Sequence, residues 1–462
     1  MTTTAPDAPP TRSLVSGRWI DHWEPEDPGF WERTGKKIAN RNLWASIAVE
    51  HVGFSVWTLW SVFVLFMGPE YGIDAAGKFL IVSTGSLVGA VLRVPYTFAV
   101  ARFGGRNWTV ISGLMLLVPT VAAAFVLQPG TPFGVFLLMA ALAGFGGGNF
   151  ASSMTNINTF FPEGRKGLAL GLNAGGGNIG VAVIQVIGLG VIAASGTSNP
   201  RILLAIYIPL IVVVSVWAAL SMDNISSVRN DTGAARMALT DRHTSIMSFL
   251  YIGTFGSFIG YSFAFGLVLT TQFGRTPLEA ASVTFIGPLL GSLIRPVGGW
   301  LSDRLGGARV TFVNFIAMAL STVLCIVASG TNSLVLFTAG FIGLFVFSGI
   351  GNGSTYKMIP AIFRRRAMVK IADGVPEERA LHDARRVSGA AIGLISAVGA
   401  LGGLLINLSF RQSFATTGSG TPAFWAFLAF YVVCTVTTYA VYIRSVPAAS
   451  ATAASQVAYA RV

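Results

Sequence analysis

RVPYTFAVARFGGR (residues 93–106) and RPVGGWLSDRLGGAR (residues 295–309) are two copies of one pattern. Arg93 and Arg295 stand 202 positions apart, as do Arg102 and Arg304, and Gly148-Asn149 returns as Gly351-Asn352 at an offset of 203. Matching offsets at three separate places point to an internal duplication, the plan on which many membrane carriers are built, with the ligand held between the copies. Each copy closes a long apolar run, and such runs recur along the chain. Twelve are long enough to cross a hydrocarbon core of roughly 30 Å as helix, the first at residues 43–67 and the last at 423–443. They are apolar on all sides and about twice as long as the alternating strands of a membrane barrel, so helices are expected.

Composition agrees. With 53% hydrophobic residues, 11% charged residues and a mean hydropathy of +0.67, the chain has too little polar surface to enclose a soluble core of this size. Its net charge of +12 would fit a nucleic-acid binder, but the placement of the charge excludes that reading. Of 31 Lys and Arg residues, 24 fall in the N-terminal segment, alternate loops and the tail; Lys78, Arg201, Arg275 and Arg411 fall on the opposite side. Positive residues stay in the cytoplasm, so both termini are expected there. No nucleic-acid partner is expected; the lipid bilayer is.

The expected fold is an all-α membrane protein of twelve transmembrane helices in two pseudo-symmetric six-helix bundles. Its parts are a cytoplasmic N-terminal segment (1–41), a first half (42–222), a cytoplasmic linker (223–245), a second half (246–444) carrying a cytoplasmic insertion (361–386), and a cytoplasmic tail (445–462). The first 41 residues lack the apolar core and cleavage site of a signal peptide, so no leader is expected to be removed. Cys325 and Cys434 fall within spans and are expected as free thiols.

Arg93 and Arg295 lie about 14 and 15 residues into spans that run inward, roughly 20 Å from the outer boundary at 1.5 Å per residue. A guanidinium there costs several kcal/mol by the lowest scales, ~2.5 or more, and two facing each other repel. The sole acidic residue within a span is Glu50, expected near the cytoplasmic end of the first. The counter-charge is then assigned to the substrate, a planar oxyanion matched to the two planar forks. An intramembrane arginine can also serve structure by donating to backbone carbonyls; the symmetry of the pair argues for substrate. Glu50 and His51 are candidates for proton coupling, or equally a pair at a helix end. Lys357 is read as a lysine reaching the headgroups from the end of span ten.

Glycine is concentrated in the fourth, fifth and eleventh spans, where it lets helices approach and slide. The stretch 144–180 reads GFGGGNFASSMTNINTFFPEGRKGLALGLNAGGGNIG, and 349–360 reads GIGNGSTYKMIP. Together with AGGGNIG (174–180) and its looser copy GLISAVGALGG (393–403), they resemble the nitrate/nitrite porters of the major facilitator superfamily. The loop after span eight, with Gly299, Asp303, Arg304, Gly307 and Arg309, is similar to the superfamily's cytoplasmic gating signature; the first copy has Ala101 where that pattern carries an acid. The resemblance implies that Arg93 and Arg295 clamp the anion and that Asn173 donates to it. It further implies that Phe145, Tyr251, Phe255 and Phe54 line the site, and that Gly175, Gly176 and Gly177 form the signature turn of helix.

The function expected is membrane transport of nitrate and nitrite by alternating access, as nitrate/nitrite exchange, with proton-coupled nitrate symport or a non-transporting anion sensor as alternatives. A channel would want a pore-lining ring. A membrane-embedded enzyme would need a metal or nucleophile constellation, which four scattered histidines do not supply. No cofactor and no metal is expected; the chain is expected to act as a monomer in the cell inner (plasma) membrane.

Overall fold

The computed structural model describes residues 12–13 and 18–444. The expected tail from residue 445, and residues 1–11 and 14–17 of the N-terminal segment, lie outside the described residues. Among the described residues twelve helices are long and apolar enough to cross a membrane: α1 Pro28–Phe66, α2 Ala75–Phe103, α3 Gly105–Val126, α4 Phe133–Phe160, α5 Glu163–Ser195, α6 Arg201–Ser221, α7 Arg242–Phe273, α8 Pro277–Leu305, α9 Gly307–Gly330, α10 Leu334–Ala372, α11 Glu377–Thr417 and α12 Thr421–Ile443.

Local chemistry sets their ends. Asp27, Asp74 and Asp241 cap α1, α2 and α7 by accepting backbone N–H groups of the first turn, and Thr276 with Glu279 forms a capping box at the start of α8. The duplicated pattern has a backbone counterpart. Gly104 and Gly306, also 202 positions apart, both take a φ of +88° between consecutive helices, a conformation open to glycine and strained for other residues. Arg93 and Arg295 correspondingly sit eighteen residues past the starts of α2 and α8.

Three features differ from the expectations. The first helix begins at Pro28, ahead of the apolar run, because its polar opening turns are capped by Asp27 and dock on protein. Trp23 donates to the Thr159 carbonyl at 3.1 Å. Trp31 packs 5.7 Å from Phe161, and both belong to a buried cluster with Ile20, Phe160 and Ile225. Arg41 and Asn42 both donate to the Asp223 carboxylate. Second, the chain is not purely helical: Trp19–Ile20 pairs antiparallel with Arg12–Ser13 and parallel with Asn224–Ile225, in a three-stranded sheet that joins the N-terminal segment to the linker. Third, the insertion at 361–386 is almost entirely helix. α10 runs on to Ala372 and α11 starts at Glu377, leaving four residues between them. Glu377 and Glu378 in the first turn of α11 suit its dipole.

These extensions hold the linker. Asp231 accepts from Arg386 at 2.5 and 2.9 Å, and Asp241 is ion-paired with Arg366. The Arg386 hydrogen bonds, helped by the Ala234 backbone N–H, hold the Asp231 carboxyl down at about 2 from an ordinary 3.8. Because the folded value is depressed, the contribution of this clamp is complete above about pH 4 and is lost only as pH falls through about 2. The pair is solvent-exposed, so Asp231→Asn should lower the melting midpoint of detergent-solubilised protein by no more than about 2 °C. A larger drop in a thermal melt at pH 7 would show the clamp to be structural.

Contacts between the first six helices and the last six are made along their length. The Phe79 ring of α2 stacks on Phe410 and Phe414 of α11, 5.6 and 5.4 Å away. Gln185 of α5 donates to the Ser262 carbonyl of α7 at 2.9 Å, and Trp57 of α1 meets Phe263 edge-on at 5.5 Å. Cys325 and Cys434 are buried free thiols.

Candidate functional site

Arg93 is fully buried. Its Nε donates to the Gly147 carbonyl at 3.2 Å, and its Nη1 donates to the carbonyl and hydroxyl of Ser396, at 3.2 and 2.7 Å. Nη2 has no protein hydrogen-bond partner. The guanidinium carbon lies 4.6 and 4.7 Å from the ring centroids of Phe150 and Phe255, beside that stacked pair, with Trp57 at 5.6 Å. Those faces offset part of the cost of burying a cation, about 0.5–2 kcal/mol each, but they bring no negative charge.

Arg295 is 7% exposed. Its Nη2 donates to the Tyr251 hydroxyl at 3.3 Å, Nη1 has no protein partner, and its cationic carbon is 5.7 Å from the Tyr356 ring. One aromatic strip links the two arginines. Phe150 stacks on Phe255 at 5.9 Å, Phe255 on Tyr251 at 5.3 Å, and Tyr251 lies 6.4 Å from Tyr356. Among the described residues neither arginine is ion-paired with a carboxylate. Two guanidinium groups thus present one unpartnered donor each in a water-poor, ring-lined space. A polar group left so costs about 1–3 kcal/mol, more when charged, and a bound oxyanion would remove that cost.

Glu50 departs from its expected place at a helix end. Twenty-two residues of α1, Pro28 to Val49, precede it, and it is 1% exposed. One carboxylate oxygen accepts from Ser153 and, at 2.7 Å, from Asn173; the other, Oε1, has no partner. Glu50 lies within electrostatic reach of Arg93 and Arg295. The expectation that nothing acidic sits near the arginines is therefore corrected. Asn173, assigned by resemblance as a donor to the anion, here spends its amide on Glu50 and on Ser153 at 2.5 Å. His51 turns away, with Nδ1 donating to the Gly176 carbonyl at 3.0 Å.

The remaining predicted residues divide. Tyr251 and Phe255 touch the arginines as described. Phe54 is one ring behind, edge-on to Trp57 at 5.5 Å and to Phe150 at 6.0 Å. Phe145 is half-buried and packs on the core. A methyl group at Gly175 would meet open space, at Gly176 it would meet Ile47, and at Gly177 it would lie 2.3 Å from Glu50 Oε1. Gly177 thus makes room for the buried carboxylate. Asp303 and Arg304 belong to the end of α8, about 12 Å along the helix from Arg295. Asp303 accepts from Lys357 at 2.6 Å, so the lysine is held by an α8–α10 ion pair; Arg304 lies 4.0 Å over the Trp300 ring.

Sequence reasoning missed Ser396, Phe150, Trp57 and Tyr356. Ser396 and Tyr356 stand inside the motifs quoted above, GLISAVGALGG and GIGNGSTYKMIP, so a signal existed. Phe150 likewise stands inside the quoted 144–180 stretch, whereas nothing in the sequence separates Trp57 from the many lipid-facing or core rings. No group of three or more metal-ligating side chains occurs among the described residues.

Comparison with known proteins adds three findings. The model of the Major Facilitator Superfamily matches residues 51–406. The nitrate/nitrite transporter NarU of Salmonella typhimurium is 42% identical, over 93% of this chain and 97% of its own. NarU of Escherichia coli is 40% identical over 91% and 96%, and the probable nitrate/nitrite antiporter NarK2 of Thermus thermophilus is 33% identical over 90% and 95%. Among solved structures, a D-xylose-proton symporter superposes with a TM-score of 0.64 at 14% identity, covering 88% of this chain and 97% of that one, a likeness of fold alone.

Proposed function

We propose, from the premise that this chain belongs to the nitrate/nitrite transporters of the Major Facilitator Superfamily, that it carries nitrate and nitrite across the plasma membrane around an anion site at Arg93 and Arg295. The single observation that carries the site is the pair of buried, unpartnered donors, Arg93 Nη2 and Arg295 Nη1. Tyr251 orients Arg295, Ser396 and Gly147 orient Arg93, and Phe255 and Phe150 exclude water, which strengthens each charge-assisted bond to a planar anion. Phe145 and Phe54 belong to the outer wall of this pocket. The chain is a transporter rather than an enzyme.

The carrier works as two six-helix halves, 42–222 and 246–444, rocking about that site. The matched glycine turns at Gly104 and Gly306 support the two halves. The excess of Lys and Arg on one side supports cytoplasmic termini, and Asp303, Arg304 and the glycines 175–177 belong to the gating surfaces. The transport mode is exchange. Each guanidinium keeps an unpartnered donor, so an empty site carries two unsatisfied buried donors through the occluded state, and either anion satisfies them.

Proteoliposomes test this directly. External labelled nitrate should enter vesicles loaded with nitrite and stay out of empty ones. Strong uptake driven by a pH gradient into vesicles without internal nitrite would reject obligatory exchange; binding without flux would make the protein a sensor.

A further inference from the structure

We propose that Glu50 is a proton-binding site linked to anion occupancy, with the anion and the Glu50 carboxylate competing for the Asn173 amide and for the field of the two arginines. The inference rests on the anion site proposed above and assigns it a regulating partner. Its basis is geometric. A carboxylate that is 1% exposed has one oxygen bound by Ser153 and Asn173 and the other unpartnered. Gly177 is the position whose missing side chain leaves space for that second oxygen.

The groups facing Glu50 are few. Arg93 comes from α2 and Arg295 from α8; Tyr356 comes from α10, and Tyr251 of α7 is bound to Arg295. From α4 and α5 come the neutral Ser153 and Asn173. On its own helix His51 is turned to the Gly176 carbonyl, and Tyr207 of α6 lies by Ser55, more than a turn farther on. No second carboxylate is among them, so the ionised form of Glu50 is sustained by the Ser153 hydrogen bond and by the two arginines, with Asn173 adding to them. An anion drawn to those arginines screens them from Glu50 and adds a like charge nearby, and both effects favour the protonated carboxyl. Protonation also weakens the claim of Glu50 on Asn173, whose amide can then turn to the anion. The balance of charge closes. Two arginines with an ionised Glu50 carry one net positive charge, as do two arginines with an anion and a neutral Glu50. Loaded and unloaded sites therefore present the same net charge. In exchange, the proton rides with each anion in both directions and no net proton flux results.

Linkage requires that an anion whose binding takes up a proton bind more tightly as pH falls, with a limit of tenfold per pH unit where Glu50 titrates. The test is nitrate binding to purified wild-type protein by calorimetry between pH 5 and pH 8.5, with Glu50→Gln and Glu50→Asp beside it. Wild type should gain affinity toward low pH by about threefold or more per unit over part of that range. Glu50→Gln, neutral at every pH, should bind with a flat profile, and Glu50→Asp should restore the slope. A measurement free of any variant accompanies it: adding nitrate to weakly buffered wild type should raise the pH of the medium, read by a soluble dye, as Glu50 takes up a proton. A flat wild-type profile, or a slope unchanged in Glu50→Gln, overturns the linkage while leaving the anion site standing. Absence of nitrate and nitrite binding at every pH overturns the anion site and the linkage with it.

Discussion

Replacing Arg93 or Arg295 by lysine should reduce nitrate/nitrite exchange in proteoliposomes by about 10- to 100-fold, the loss expected from one charge-assisted hydrogen bond of about 1.5–3 kcal/mol. The substitution keeps the charge and removes the fork. At position 93 the fork performs three tasks: Nε and Nη1 are held by Gly147 and Ser396, and Nη2 is left for the ligand. An ammonium is a point charge on a flexible stem. It cannot satisfy two backbone carbonyls and a hydroxyl and still aim a donor, nor keep the contacts of a planar, weakly hydrated cation with Phe150 and Phe255. At position 295 the same loss separates the bond to Tyr251 from the free Nη1. Initial rates of counterflow, normalised to reconstituted protein, measure it. Full exchange by both variants would remove the anion from these arginines.

Gly180→Ala should fail to give a folded carrier, whereas Gly175→Ala, five residues earlier in the same motif, should fold and melt like wild type. A methyl group at Gly180 would lie 2.1 Å from the His51 carbonyl oxygen and 3.0 Å from its carbon, both backbone atoms of α1. No rotamer relieves that contact, so α1 and α5 must separate. Separation would also break the Ser55 bond to the Gly180 carbonyl, 2.8 Å long, and would pull Asn173 from Glu50. Overpacking a core costs about 1–3 kcal/mol when side chains can yield, and more when backbone must. At Gly175 the added methyl meets nothing within 4 Å. Yield of monodisperse protein in detergent and its melting midpoint measure both variants; a well-folded Gly180→Ala would show that the two helices do not need this approach.

Much of the site was legible because burying charge in hydrocarbon is so costly that two arginines deep in apolar runs call for a function. Their fixed offset pairs them along the chain, and the glycines at 104 and 306 repeat that symmetry in the backbone. Glu50 was misread for a specific reason. Hydropathy marks where a run becomes apolar, but α1 starts fifteen residues earlier than the run, at Pro28, because tryptophans of the N-terminal segment dock on Phe160 and Phe161 and let polar turns remain helical. The helical extensions of α10 and α11 are not marked by hydropathy either, because the insertion is rich in charge; Asp231 and Asp241 of the linker supply partners for its Arg386 and Arg366.

By itself the sequence pointed to a multi-pass membrane protein with twelve runs long enough to cross lipid and a repeated Arg/Gly pattern, and it singled out the arginine pair. Each of these follows from one-dimensional patterns whose energetic penalties are large and local. Only the tertiary structure decided that Asn173 serves Glu50 and that Ser396, Phe150 and Trp57 hold Arg93, while one nitrogen of each arginine stays unpartnered. Hydrogen bonds between residues as far apart as 93 and 396 depend on how helices rotate and how closely glycines let them meet, and no pattern along a single strand of sequence encodes that rotation.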